Sequence, residues 1–333
     1  MSDSRFDVLG IGNAIFDVLA HVEEDFLVRE NLVKGSMRLI DAEEAVRLYD
    51  KMGPAMRISG GSAGNTIAGV ASLGGRAAYI GKVADDELGA AYGHDMRSIG
   101  AHFETSLLND GAPTARSMIL VTPDGERTMN TYLGACVDLT VDDIDPEIVQ
   151  SSQITYMEGY LWDPDAAKDA FRKAMQLSHE AGQKTALTLS DSFCVDRYRD
   201  EFLSLIKDGS LDIVFANEHE LKALYQTADL NTAIEAIRND ASLAIVTLGE
   251  EGSISVAADK TNKVPAAKVE TVVDLTGAGD LFASGFLFGL ARNYPLVECA
   301  ELGALAAAEV ISHIGPRPEK SLKSIAEQNG FVI

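Results

Sequence analysis

The chain has 333 residues, 46% hydrophobic and 24% charged, a globular composition with enough apolar residues for one large domain or two ordinary ones. Its 28 basic and 51 acidic residues leave a net charge of −23, which argues against nucleic acid or an anionic membrane surface as partner, since both need clustered Lys and Arg. It does not exclude a small anionic substrate, because local groups can oppose the overall field.

The start, "MSDSRFDVLGIG", has neither the basic head nor the long apolar run of a secretory signal, and no run of about 18 apolar residues is present to span a bilayer. Cys136, Cys194 and Cys299 are scattered and form no CxxC pair, so buried thiols in a reducing cytoplasm are expected. The six histidines show no metal-ligand spacing.

In chain order, "FDVLGIG" (6–12) reads as a buried first strand. "SAGNTIAGVASLGG" (62–75) has an apolar face at helical spacing and ends in Gly-Gly, as a helix should. A strand at 77–83 and a helix at 86–100, closed by Gly100, follow. "RSMILVTPDGERTMNTYL" (116–133) is two extended runs around a Pro-Asp-Gly turn, a β-hairpin signal. Strands then alternate with helices: strand 153–159, helix near 165–181, strand 185–190, helix near 197–207, strands 211–217 and 243–249, and short strands to about 273. Helices at 280–291 and 296–313 and a last one after Pro318 complete the chain.

That alternation predicts an α/β three-layer sandwich, a mostly parallel sheet covered by helices on both faces, with right-handed crossovers. The segment 14–57, with extended pieces such as "FDVLAHV" and "SMRLI", and the hairpin break the rhythm. They are expected to form a small β lid. Residues 1–13, 58–113 and 137–333 would be the large domain, and 14–57 with 114–136 the discontinuous lid. Ligands of such sheets bind at the carboxyl ends of the strands, so the motifs are sought there.

"GIGNAIFD" (10–17) lacks the third glycine of a dinucleotide fingerprint, because Ile15 stands there. What remains is Asn13 and Asp17 beside a glycine turn, either a simple turn or two groups for a polyol. "GRAAYIGK" (75–82) has five residues between its glycines where a P-loop needs four, and is rejected. Gly60 and Gly61 open the helix that carries Asn65, allowing close approach of a ligand to backbone or serving as ordinary capping. In "NEHE", Asn217 and Glu220 suit a magnesium ion through its retained waters, but on spacing alone a capping box is the better reading.

"DLTGAGDLFASGFLFGLA" (274–291) is the most informative stretch. The backbone N–H groups of Gly277, Ala278 and Gly279 would converge at a helix N-terminus, an anion site by hydrogen bonding and by dipole. Asp280, expected to stay ionised in that field, would accept a proton from a hydroxyl while the turn holds the transferred charge. An Asp that merely caps the helix would explain the charge, but not glycines at a helix start.

In this order, the motifs resemble the ribokinase/PfkB carbohydrate kinase family, over about residues 6–320: its Gly-Gly stretch at Gly60–Gly74, its Asn-x-x-Glu at Asn217–Glu220 and its Asp-Thr-x-Gly-Ala-Gly-Asp turn at Asp274–Asp280. Leu275 stands where that family has Thr. "GNAIFD", "EEDFL" and "ERTMNTYLGA" are similar to the adenosine kinase branch. The resemblance implies ATP with Mg2+, and a monovalent cation such as K+. It places ribose hydroxyls on Asp17 and Asn65 with Gly61 close by, the base role on Asp280, and Arg127 over the transferring phosphate. Thr247, Gly249, Gly252, Thr276 and the turn around His313 would border ATP, with His313 near its adenine. Met37, Leu39, Met129, Leu133 and Tyr160 match the base pocket, although periodicity alone makes them ordinary packing. The expected activity is phosphorylation of a nucleoside 5′-hydroxyl, adenosine to AMP, with a sugar kinase (ribose, fructose or a related sugar) and a non-catalytic binding module as alternatives. A homodimer through the lid edges is a further expectation.

Overall fold

The computed structural model describes residues 4–333. The first part of the chain forms β1 (Phe6–Ile11), β2 (Ile15–His21), α1 (Glu24–Arg29), β3 (Met37–Leu39), α2 (Ala42–Lys51), β4 (Met56–Ser59), α3 (Ser62–Ser72), β5 (Ala77–Ile80), α4 (Glu87–Ser98), β6 (Ala115–Val121) and β7 (Arg127–Tyr132). The middle adds α5 (Pro146–Gln150), β8 (Ser152–Glu158), α6 (Asp165–Glu180), β9 (Lys184–Thr188), α7 (Ser192–Lys207), β10 (Ile213–Asn217), α8 (Glu218–Leu224), α9 (Leu230–Asp240), β11 (Leu243–Thr247), β12 (Ser253–Ala257) and β13 (Thr261–Val264). The end is helical: α10 (Ala278–Ala291), α11 (Leu296–Val310) and α12 (Leu322–Gln328).

An eight-stranded sheet in the order β13-β12-β11-β10-β9-β8-β1-β5 is parallel except for β12 and β13 at one edge. Its strands are apolar on both faces, because both are covered. Leu9, Ile11, Met157, Leu187 and Val214 pack under α6 to α9, against Phe171, Val195, Phe202, Leu221 and Ile237. Val8, Tyr156, Ala186, Phe215 and Ile245 meet α3, α4, α10 and α11, against Ile67, Tyr92, Phe282 and Phe286. Helix α10 is apolar nearly all round, so it lies inside. Its contacts are close: a Cβ at Gly69 on α3 would sit 2.2 Å from the Ser284 hydroxyl, and one at Gly285 2.5 Å from the Leu302 backbone.

A separate five-stranded sheet, β3-β7-β6-β2-β4, is the expected lid sheet. Alternation decides its two faces. Val18, Ala20, Met118 and Leu120 bury themselves against Phe26, Leu27, Ala45 and Leu48 of α1 and α2. Asp17, Ser117, Ile119 and Met129 turn toward the main sheet, where they line a cavity.

Some expectations shift. Segment 14–57 joins its extended pieces with two helices that the sequence reading does not mark, α1 and α2. The α2 signal was local: Asp41 caps the helix by accepting from the Glu44 N–H (2.8 Å), and Ala45 and Leu48 form the inner stripe. Helix α7 starts at Ser192, capped by Asp191, and bends at Tyr198, where φ is −120°. The strands expected to reach about 273 end at Val264, and the helix expected to reach 313 ends at Val310. The three cysteines are buried free thiols. Among the described residues no helix is long and apolar enough to cross a membrane.

Candidate active site

A cavity of about 760 Å³ opens between the carboxyl ends of the parallel strands and the inner face of the lid sheet. That volume suits small-molecule ligands. Asn13, Glu158, Thr188, Asn217 and Thr247 line it from the body. Asp17, Met37, Leu39, Ser117, Met129 and Leu133 line it from the lid side, Tyr160 stands at one wall, and Thr276–Asp280 form a third side.

The last of these is the start of α10. Gly277 has φ 79°, and a Cβ there would lie 2.7 Å from the Pro316 carbonyl oxygen, so glycine is required twice over. Not all three amides of the turn are open as expected. The Ala278 N–H donates to the Leu275 carbonyl (3.2 Å), whereas the N–H groups of Gly279 and Asp280 have no backbone acceptor among the described residues. Space around Gly279 is open. Two free amides at the head of a 14-residue helix form a cradle for an anionic group.

Asp280 is held from α3: Oδ1 accepts from the Ser62 hydroxyl (2.6 Å) and Oδ2 from the Asn65 amide (2.9 Å). Burial raises its carboxyl above the ordinary aspartate value, against the lowering effect of these bonds. Burial thus works against the helix field expected to keep Asp280 ionised. Asn65 stands behind the cavity wall, pointed at Asp280. Gly60, also behind the wall, makes room for Asp17, because a Cβ there would meet its Oδ2 at 2.5 Å. Gly61 (φ 86°) lines the cavity, and a Cβ on it would collide with the Asn13 carbonyl. Asp17 is pushed up to about 7 by burial, opposed by the Arg317 and Arg127 charges.

Glu158, at the end of β8, was not anticipated. It is fully buried and accepts from the amides of Asn13 (2.9 Å) and Ala63 (2.6 Å). Burial pushes it up to about 7. The signal was one acid closing the apolar run "QITYMEG" just before a glycine. Next to it, the Asn13 side-chain oxygen is buried without a partner, an acceptor left for a donor from the cavity. Ser190, in the left-handed region at φ 73°, and the exposed Phe193 line the far end, also unforeseen. Tyr160 is tied there by its hydroxyl, which donates to the Ser190 carbonyl (3.1 Å).

Other expected residues sit differently. Asn217 and Glu220 form a full capping box: Asn217 Oδ1 accepts from the Glu220 N–H and Glu220 Oε2 from the Asn217 N–H, both at 2.9 Å. Their oxygens line the cavity but are engaged, and no cluster of three metal-ligating His, Cys, Asp or Glu side chains occurs among the described residues. The pair thus fits magnesium only through water, as a hydrated ion carried on phosphates allows. Arg127 is not over the cavity: it pairs with Asp274 and donates to the Thr276 hydroxyl (2.5 Å). Gly249 and Gly252 lie in the turn after β11, off the cavity wall, and Gly252 (φ 94°) packs against the Val264 carbonyl. His313 lies outside as well. It borders a separate cavity of about 570 Å³ beside β4, its ring 3.3 Å from Glu309 Oε2.

A ribokinase-like three-layer body, a β lid and a carboxylate beside a helix-start anion cradle define a phosphotransferase with an alcohol acceptor. Residues 30–322 match the family model described as pfkB family carbohydrate kinase, and the chain belongs to that family. The adenosine kinase of Sinorhizobium meliloti is 56% identical, with TM-score 0.93 over 98% of this chain and 100% of that one. A probable sugar kinase of Rhizobium etli CFN 42 is 52% identical, with TM-score 0.93 over 98% and 99%. The adenosine kinase of Saccharomyces cerevisiae is 27% identical over 92% of this chain and 95% of its own. Membership of a kinase family implies ATP as phosphoryl donor, and the open amides of Gly279 and Asp280 fit its transferred phosphate.

Proposed function

We propose that this chain is an adenosine kinase, phosphorylating the 5′-hydroxyl of a nucleoside from ATP. The observation that carries the reading is Asp280, fixed by Ser62 and Asn65 beside the cradle formed by the open amides of Gly279 and Asp280 after the Gly277 turn. A hydroxyl placed there loses its proton to Asp280 as its oxygen attacks the γ-phosphorus. The bond to the bridging oxygen breaks, and ADP leaves. The Gly279 and Asp280 amides face the charge on the transferred group. Asp17 and the open acceptor of Asn13 would hold the ribose hydroxyls, with Asn65 steering the base. Met37, Leu39, Met129, Leu133 and Tyr160 would border an apolar slot for the nucleobase. Thr247, Thr276 and the water-mediated Asn217–Glu220 site would face the nucleotide and its Mg2+, which supplies charge neutralisation when bound. Gly249, Gly252 and His313 belong to this reading only through a lid or loop movement.

The apolar lid wall and the full-length similarity to the Sinorhizobium enzyme support a nucleoside over a bare sugar. A sugar acceptor is the second reading, favoured by the buried polar floor of Glu158 and Asn13 and by the Rhizobium relative. We further propose that residues 14–57 and 114–136 move as a lid over the rest, that K+ supports turnover, and that two copies pair through the lid edges β3 and β4 in the cytoplasm.

The test is Asp280→Asn. Phosphoryl transfer should fall by about 10³-fold or more, with nucleoside affinity kept within severalfold. Retained turnover sinks the assignment.

A further inference from the structure

Asp274 is buried at 6% exposure and carries three interactions on one carboxylate. Oδ1 accepts from the Thr276 N–H (2.9 Å), inside the turn that leads to Gly277. Oδ2 accepts from the Gly315 N–H (2.8 Å) and from the Arg127 guanidinium. Arg127 starts β7 of the lid, and its other terminal nitrogen donates to the Thr276 hydroxyl (2.5 Å). The loop that supplies Gly315 also supplies Pro316, against which Gly277 is wedged. A second lid strand reaches the same place: Ile58 of β4 would lie 3.2 Å from a Cβ at Gly315.

The lid hairpin, the phosphate turn and its supporting loop therefore converge on one acid outside the cavity lining, and β4 packs on the same supporting loop at Gly315. We propose that Asp274 is a positioning residue, a latch that ties the lid hairpin to the turn Thr276–Gly279, so that lid docking and assembly of the anion cradle are one event. The chemistry is specific. A desolvated carboxylate and guanidinium form a strong, directional pair, and leaving either without the other inside the protein is costly. Each backbone bond from Asp274 fixes a segment that Arg127 must find in place. With the lid away, the turn loses the donor that holds the Thr276 hydroxyl, and the cradle amides lose their aim. This latch rests on the cradle reading of the preceding subsection.

The test is a double-mutant cycle of Asp274→Asn and Arg127→Gln, read by steady-state kinetics with ATP and adenosine, and by amide hydrogen exchange. Each single variant should lower kcat on the order of 100-fold, the loss that follows from misplacing reacting groups by about 1 Å, with a smaller change in KM for the nucleoside. The double variant should be no worse than either single one, because both break the same contact. Exchange should rise in residues 115–132 of Asp274→Asn. Multiplicative losses in the double variant, or unchanged exchange in the lid hairpin, overturn the latch. Should Asp274→Asn fail to fold, Thr276→Val removes only the hydroxyl arm and should loosen the same hairpin; unchanged exchange there overturns the latch equally. Activity in Asp280→Asn would instead overturn the cradle reading and leave the exchange result standing on its own.

Discussion

Four carboxyl groups around the cavity are raised by burial: Asp17, Glu158 and Glu220, each to about 7, and Asp280 above its ordinary value. For Asp280 this is useful, since a base needs a proton affinity near the working pH. The acid limb of kcat/KM should therefore lie above the ordinary aspartate range and belong to the coupled carboxylates together. For stability the sign is opposite to that of a salt-bridged acid. Asp17 and Glu158 bind protons more tightly folded than unfolded, so between pH of about 4 and 7 the folded chain holds the extra protons. Stability from these two groups is highest below their unfolded values, falls as pH rises through that window, and levels off above about 7. Glu158→Gln, which cannot ionise, should flatten the dependence of Tm on pH across the window in ligand-free protein. An unchanged slope would remove Glu158 from this account. Asp17 and Asp280 were legible as isolated acids beside glycine turns. Glu158 was less so, because one acid ending an apolar strand looks like a strand boundary until the fold seals it from water.

At the scale of the element, α10 shows how one helix start serves both packing and site. Ten of its fourteen residues are buried, and Gly69 and Gly285 let α3 and α11 come close. Its two turn glycines are not equivalent. Gly277→Ala meets both a positive φ and Pro316, and should lower Tm and kcat together. Gly279→Ala has open space and an ordinary φ, so Tm should hold while kcat falls, because the methyl occupies room meant for the phosphoryl group. Equal thermal shifts by differential scanning fluorimetry would contradict this distinction. The same two glycines were legible as a pattern, but which amide stays free was not, because Ala278 gives its N–H to Leu275 through a turn that only coordinates show. Helix α2 was missed for a different reason: its charged outer face hid a short inner stripe of Ala45 and Leu48.

At the scale of the whole molecule, the cavity is a joint product of body and lid. Its apolar lining comes from both, with Met37, Leu39, Ile119 and Met129 on the lid side and Phe193, Phe215 and Phe282 on the body side, so specificity should follow both. An ATP-coupled screen of adenosine and other nucleosides against ribose and fructose should show turnover with adenosine at least tenfold above any sugar in kcat/KM, a margin of about 1.4 kcal/mol. Preference for a sugar would move the chain to the second reading while leaving Asp280 in its role. The sequence by itself determined the class: local rules of strand and helix period, glycine turns and an acid at a helix head act within a few residues and are written in order along the chain. The tertiary structure alone decided which groups meet. Arg127 turned to Asp274 and Asn65 to Asp280, because partners 147 and 215 residues apart are chosen by packing and by the need to satisfy buried charges.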